Sequence, residues 1–406
     1  MTSPVSVEEH LRDILDRVRR IPAARELLLD AQGLRLAEDI AAPMDVPSFD
    51  NSAMDGYAVV AADLRQAAPA APVRLPVVGE IHAGAPGQAL EPGTVVRIMT
   101  GAPVPEGADA VVPFEQVTEE AASASFSAAP VVGAHIRLAG SDVRTGQHLL
   151  SAGTVLGPRE LGLLANVGLR EVSTSPHPRV AVLSTGAELT EPGEPLGEGA
   201  IYDSNSFLLT AAVRAAGATA HRVHCPSDEP AVFLDALEAQ LGRADAVITT
   251  GGVSQGTRDV VKAALSDHPR HDVAFRQVAM QPGKPQGFGL LGAHGVPLFA
   301  LPGNPVSAYV SFILFVEPAL RAMAGHGVVE RPRRQAELLQ SITSTAGKRQ
   351  YVRGRFDDGR VRPVGAHGSY LMGGLAVANA LIVVDEALTE IASGQSVPVL
   401  LLDGDH

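Results

Sequence analysis

The sequence predicts a multidomain α/β protein, and three observations lead there. The chain has 406 residues, well beyond the about 150 residues of a common single domain. Apolar residues make up 46% and charged residues 19%, a composition that builds folded cores rather than a disordered chain. Between residues 179 and 325, strand-like and helix-like runs alternate, as in a doubly wound parallel sheet.

The elements follow in order. Val7, Leu11, Ile14, Leu15 and Val18 recur at helical spacing among charges, so residues 6–20 predict an amphipathic helix. Apolar positions continue at Leu27, Leu28, Leu36, Ala37 and Ile40. From about 43 to 135, short β-branched runs at 74–78, 95–99 and 110–113 sit between Gly/Pro turns, which predicts a small β-rich domain. The Ala/Ser-rich stretch 121–129 reads as a loop, and 158–167 as a helix. Strands are then predicted at 180–184, 220–224, 246–250 and 298–301, with helices at 206–216, 231–241, 260–266 and 306–323. The tail returns to β-like runs at 336–342, 351–356, 380–384 and 397–402, a fourth, β-rich module. The expected domains are 1–42 with 139–177, 43–138, 178–326 and 327–406. No internal repeat is seen.

Charge and cysteine usage exclude several function classes. A net charge of −13 repels polyanions, so non-specific nucleic-acid and membrane-surface binding is not expected, and an anionic ligand must be held by a local positive site. One cysteine, Cys225, leaves no intrachain disulfide framework and no Cys-based zinc site. The opening MTSPVSVEEHLRDILDRVRR has no apolar core of a signal peptide, and the longest strongly apolar stretch is 308–316, so a cytoplasmic protein is expected. The 13 histidines show no paired metal-ligand spacing, and no nucleophilic triad emerges. Only Lys262, Lys284 and Lys348 are lysines among 32 basic residues, which makes each one worth locating.

Eight polar segments, and two residues of the tail, carry chemistry. PSFDNSAMDGYAV at 47–59 gathers Asp50, Asn51, Ser52 and Asp55; it reads as turn chemistry or as a carboxylate loop facing a ligand, with Asp55 the better ligand candidate and Asp50 a structural cap. RIMTGAPVPEG ends a strand at Thr100, which reads equally as a loop cap or a ligand contact, and AGSDVRTGQ holds Asp142 in a Gly-flanked turn, where alone it reads as a turn residue rather than a catalytic one. VLSTGAEL follows a strand directly, and ligands of open α/β sheets sit beyond such carboxyl ends, so Ser184, Thr185 and Gly186 can present donors there with Glu188 close behind. In IYDSN, Asp203 or Ser204 reads as a helix N-cap.

TTGGVSQGTRD at 249–259 is the strongest local signal. Gly251, Gly252, Ser254 and Gly256 follow a buried strand and precede a helix, which makes an anion nest of exposed backbone N–H groups. It is neither a P-loop nor a GxGxxG fingerprint. Asp259 reads as an N-cap or, beside phosphate, as an oxygen ligand for Mg²⁺. QPGKPQGFG fixes Lys284 between Gly283 and Pro285, a rigid point charge suited to an oxyanion. In LPGNPVS, Pro305 suits the first helical position and Asn304 its N-cap. In the tail, Arg353 and Ser369 can bind an anion or simply be solvated.

Taken together, these segments resemble the MoeA family of molybdopterin molybdenumtransferases and the related gephyrin E domain. FDNSAMDGYAV, RIMTGAPVP, STGAEL, IYDSN, TTGGVSQGTRD, QPGKPQGFG and LPGNPVSA occur in the family's order over nearly the whole chain. The resemblance implies a four-part, elongated homodimer: a helical or mixed N-terminal domain, a small β-rich domain, a Rossmann-like molybdopterin-binding α/β domain and a C-terminal β-barrel-like domain. It implies that adenylated molybdopterin and molybdate give molybdenum cofactor and AMP with Mg²⁺. The implied cleft lies between the α/β and C-terminal modules of one subunit and the small β domain of the other.

Residue by residue, Asp55, Thr100 and Asp142 match family cleft positions, and Asp55 and Asp142 join the catalytic set. Glu188, Asp228 and Asp259 match the catalytic carboxylates associated with metal and substrate phosphate. Lys284, Pro285, Ser307, Arg353 and Ser369 match positions that contact molybdate or a similar oxyanion. Gln281 departs from the KPGKP of several relatives and removes one positive charge, while its amide still donates two N–H bonds. A molybdopterin adenylyltransferase and downstream molybdoenzyme maturation proteins are the implied partners. The competing expectations are a dimeric scaffold or cofactor carrier without insertase activity, tested by peptide binding without AMP release, and an adenylyltransferase, tested by ATP consumption with free molybdopterin.

Overall fold

The computed structural model describes residues 4–253, 259–365 and 368–403, which divide into two compact units, residues 25–174 and residues 1–24 with 175–406. In the first unit, a six-stranded sheet runs in the order Ala110–Pro113, Gly56–Val59, Val95–Ile98, Val73–Ile81, Ser123–Phe126, Val117–Glu120. Tyr57, Val95, Val112 and Phe126 fill one side, and Ala58, Ile98 and Val111 the other. Gly56–Val59 is therefore buried along its whole length. The stretch read as a loop at 121–129 contains a strand instead. Ala124 and Phe126 point inward and Ser123 and Ser125 alternate with them, so the period of two is present but masked by small residues. The helix Pro158–Asn166 starts on a proline and packs Leu161 and Leu164 against Leu36 and Val172.

The second unit begins with the helix Val7–Arg17, closed by a capping box: Ser6 Oγ accepts from Glu9 N at 3.1 Å and Glu9 Oε2 from Ser6 N at 2.9 Å. Its central sheet has strands β1 Arg179–Thr185, β2 Thr219–Cys225, β3 Ala246–Thr250, β4 His271–Gln277, β5 Pro285–Leu291 and β6 Val296–Leu301. They lie in the order β2-β1-β3-β6-β5-β4. The first four in this order are parallel, whereas β5 and β4 run antiparallel. The four strands expected of the doubly wound sheet are thus parallel, and an unexpected antiparallel edge of β5 and β4 extends it. Helices Ser204–Ala215 and Pro305–Met323 cover one face, and Pro230–Glu238 and Val260–Leu265 the other. Pro305–Met323 is the one helix among the described residues long and apolar enough to cross a membrane, and 83% of its apolar window is buried in this core.

The C-terminal strands are β7 Arg333–Leu338, β8 Arg349–Asp357, β9 Arg360–Pro363, β10 Ala380–Val384 and β11 Ser396–Leu401. Pairings β8–β9, β9–β7, β7–β11, β11–β10 and β10–β8 close them into a barrel. Leu338, Val361, Ile382 and Val399 fill its interior. Two of the contacts that tie the barrel to the α/β part bear on the site. The short strand Met280–Gln281 pairs in parallel with Arg349–Gln350. Tyr351, Leu381 and Leu400 share a core with Met280 and Phe312.

Candidate functional site

A cleft of about 540 Å³ opens where the α/β part meets the barrel. Three segments line it: the loop from Gln281 to Pro285, the helix start at Asn304–Ser307, and the edge of β8 with residues 363–365 and 368–370. Lys284, Pro285, Ser307, Arg353 and Ser369, the five residues expected at an oxyanion, all line this one cleft. Lys348 joins them. Among the described residues, the lining contains no carboxylate. In a chain of net charge −13, that is a local reversal of sign.

Each side chain is held by identifiable contacts. Gly283 adopts φ +103°, and a Cβ there would lie 2.8 Å from Met280 Cε and 2.9 Å from Ser311 Oγ. Gln286 Nε2 donates to Gly283 O and to Ser311 Oγ, both at 2.6 Å, and Val278 N donates to Lys284 O at 2.7 Å. The loop carrying Lys284 is thereby fixed. Arg353 is only 5% exposed, and its Nη1 donates to Leu371 O at 2.5 Å. Burial pushes its guanidinium below the usual arginine value. Asn304 does not cap its helix with its side chain; Nδ2 donates to Ser369 Oγ at 2.9 Å, and Val306 N to Ser369 O at 3.0 Å. Ser369 is thus tied to the helix start beside Ser307.

A second group lies beyond the carboxyl ends of β1–β3. Ser184 and Thr185 are corrected here: both are buried and their hydroxyls turn inward, Ser184 Oγ to Asp203 Oδ2 at 2.6 Å and Thr185 Oγ1 to Ser227 O at 2.9 Å. They brace the loop rather than offer hydroxyls to a ligand. Asp203 caps its helix through Ser206 N at 3.1 Å. Exposed Glu188 folds over Gly186, where a Cβ would meet its Oε2 at 2.6 Å. Exposed Asp228 accepts from Ala187 N at 3.3 Å. Gly251 and Gly252 have φ +92° and +66°, but the Gly251 N–H donates to Leu301 O at 3.1 Å, so it is not one of the exposed donors expected of an anion nest. Asp259 precedes the helix Val260–Leu265 as N-cap without a side-chain cap bond. Ser254 and Gly256 lie outside the described residues.

Asp55, Thr100 and Asp142 belong to the other compact unit. Asp55 Oδ1 accepts from Thr100 N at 2.7 Å and from Thr100 Oγ1 at 2.8 Å. The Thr100 backbone and hydroxyl donors hold the Asp55 carboxyl below its ordinary value. Asp50 is the structural partner, accepting from Ala139 N at 2.7 Å. Asp142 is exposed in its turn, with its backbone N donating to Val46 O at 3.0 Å.

The histidine expectation needs correction. Among the described residues, Glu238, His268 and His271 come together, as do Glu191, Asp203 and His224. Neither is an open cage. His268 and His271 each accept a backbone N–H at Nδ1, and Arg270 occupies Glu238 at 2.6 Å. Arg222 binds Glu191 at 2.7 and 2.8 Å in the other group. Glu188, Asp228 and Asp259 form no such three-ligand group in this state. Sequence reasoning also passed over Asn304 as a ligand-facing donor, Asn205, whose Nδ2 bridges Thr250 Oγ1 at 2.8 Å and Gly303 O at 2.6 Å, and Lys348 as a cleft residue. For Lys348 the signal was present: lysine is scarce in this chain.

Three family models match in succession: "MoeA N-terminal region (domain I and II)" over residues 5–168, "Probable molybdopterin binding domain" over 181–322, and "MoeA C-terminal region (domain IV)" over 335–402. The molybdopterin molybdenumtransferase 2 of Mycobacterium tuberculosis (strain ATCC 25618 / H37Rv) is 45% identical over 401 residues, covering 97% of this chain and 98% of the relative. The molybdopterin molybdenumtransferase of Haemophilus influenzae is 39% identical over 387 residues, 92% of each chain. The crystal structure of a molybdopterin biosynthesis MoeA protein from Pyrococcus horikoshii superposes with a TM-score of 0.84 at 30% identity, covering 99% of this chain and all of that one.

Proposed function

The chain belongs to the MoeA family, and on that footing we propose how its residues carry out the family's reaction. It is a molybdopterin molybdenumtransferase of molybdenum cofactor biosynthesis. Molybdate is the metal source, adenylated molybdopterin the acceptor, and AMP the leaving product. The cleft that gathers Lys284, Ser307, Arg353 and Ser369, with no carboxylate among its described lining residues, carries this reading. Molybdate is a tetrahedral dianion. Lys284 and Arg353 supply charge, and the two serine hydroxyls and the Gln281 amide supply directed donors.

Releasing AMP breaks a phosphoanhydride bond, which calls for positioning and charge neutralisation rather than a protein nucleophile. A water oxygen bonds to phosphorus, the bond to the departing phosphate oxygen breaks, and the proton passes to a carboxylate among Glu188, Asp228 and Asp259. Gly251 and Gly252 hold the loop in left-handed conformations beside the anionic ligand, with the Gly251 N–H itself bonded to Leu301 O. The exposed oxygens of Glu188 and Asp228, with Asp259 at the nearby helix start, suit Mg²⁺ as hard donors. Mg²⁺ bound there would neutralise phosphate charge. The working form we propose is a cytoplasmic homodimer in which a second copy supplies the small β-rich domain with Asp55, Thr100 and Asp142.

The test supplies adenylated molybdopterin and Mg²⁺, titrates molybdate, and reads AMP release and activation of an apo-molybdoenzyme. Molybdate-dependent AMP release with enzyme activation is expected; tight substrate binding with neither output would overturn the reading. Glu188→Ala or Asp259→Ala, folded, is expected to abolish AMP release, and full retained release would remove that residue from the mechanism. Chelation by EDTA is expected to stop AMP release while molybdate binding, read by calorimetry, persists.

A further inference from the structure

The molybdate cleft holds one cation that none of the sequence motifs contains. Lys348 lies on the turn leading into β8 and lines the cleft together with Gln281, Lys284 and Arg353. Its place is set by pairing: Met280 and Gln281 run in register beside Arg349 and Gln350, and Arg349 N donates to Ala279 O at 2.9 Å. Two of the chain's three lysines therefore converge on one cavity. The next residue, Arg349, faces elsewhere and is bound by Glu8 and Glu386. Neither Lys348 nor Lys284 has a carboxylate at ion-pair distance among the described residues, whereas arginines form most of the ion pairs recorded there. An unpaired ammonium on a half-buried wall without carboxylates is poised for an external anion.

We propose that Lys348 is a molybdate-binding residue, the second ammonium of the cleft, which together with Lys284 and Arg353 balances the dianion on the wall where Gln281 is neutral. The inference rests on the molybdate reading of the cleft. Gln281 then contributes direction through its amide, and Lys348 contributes charge.

The experiment is molybdate titration by calorimetry of the full chain and of Lys348→Met, Lys348→Arg and the exposed barrel control Arg334→Met. Activity is measured alongside at varied molybdate. Lys348→Met is expected to weaken molybdate binding roughly tenfold, about the effect of one charge-assisted contact. The KM for molybdate should rise by a similar factor, with kcat at saturating molybdate and affinity for adenylated molybdopterin unchanged. Lys348→Arg should recover most of the binding, and Arg334→Met should match the parent. A Gln281→Lys change added to Lys348→Met should also restore affinity, because it returns an ammonium to the paired strand. Molybdate affinity within twofold of the parent in folded Lys348→Met would overturn the proposal. So would a defect confined to adenylated molybdopterin, which would assign Lys348 to the pterin substrate. Failure of the parent protein itself to bind molybdate would instead sink the cleft reading.

Discussion

At the scale of single residues, the two ends of the chemistry differ in how firmly the protein holds them. Arg353 is buried, bonded to Leu371 O and packed against Gly374, whose added Cβ would lie 3.1 Å from Nη1. Arg353→Ala should weaken molybdate binding by about 2 kcal/mol, roughly 30-fold, measured by calorimetry. Asp55, by contrast, is exposed and owes its lowered pKa first to the Thr100 backbone N–H and then to the Thr100 hydroxyl. A carboxyl whose folded pKa lies below its ordinary value of 3.8 stabilises the fold above that value, and the contribution fades as pH falls through the folded pKa. The difference in thermal unfolding between the parent and Asp55→Ala should therefore be constant near neutrality and close below about pH 4. The candidate residues were legible because lysine is scarce and because Asp-Gly, Gly-Lys-Pro and Asn-Pro motifs announce turns. The inward aim of the Ser184 and Thr185 hydroxyls was not legible. It depends on Asp203 and Ser227, distant neighbours that only the assembled sheet supplies.

Elements with a clean period were the easiest to read. The strand over 246–250 and the helix opening with Pro305 follow directly from the apolar pattern and from proline at the first helical position. The antiparallel edge was missed for a physical reason. β5 carries Gly287 and Gly289, residues that local preference places in turns. Here they let two backbones approach: a Cβ on Gly289 would lie 2.1 Å from Asp272 O and 2.4 Å from Val273 Cα. Gly289→Ala should cost about 3 kcal/mol, seen as a lowered melting temperature, because only a main-chain shift relieves the clash. β4 was missed with it, since an edge strand takes its identity from its neighbour. Because β5 begins at Pro285, immediately after Lys284, loosening this pair should also raise the KM for molybdate.

For the whole molecule, the alternation over 179–325 and the β-rich tail gave the architecture; the residue pattern alone read the tail only as β-rich, the family resemblance implied a barrel, and long-range pairings such as β8 with β10 close it. The long core helix is held to the barrel segment by Glu317, buried between Arg321 at 2.8 Å and Arg331 at 2.7 Å, with Arg331 Nη1 also donating to Leu401 O at 2.7 Å. Glu317→Ala should destabilise by about 3–5 kcal/mol, read by chemical denaturation, because two arginines lose their buried carboxylate. The proposed homodimer makes a different kind of prediction. Asp55→Ala and Arg353→Ala proteins, assayed at molybdate low enough that each alone is impaired, should recover part of the AMP release when co-expressed, since a mixed dimer retains one intact site; no recovery would place both residues in one copy's site. The two lysines on the cleft also decide how the protein can be handled. An amine-selective acylating reagent meets only three lysine side chains, and two of them line the cleft. Such labelling becomes a footprint of the anion pocket, readable by mass spectrometry, and tethering the protein to a surface through its amines would block the binding that the surface was meant to measure.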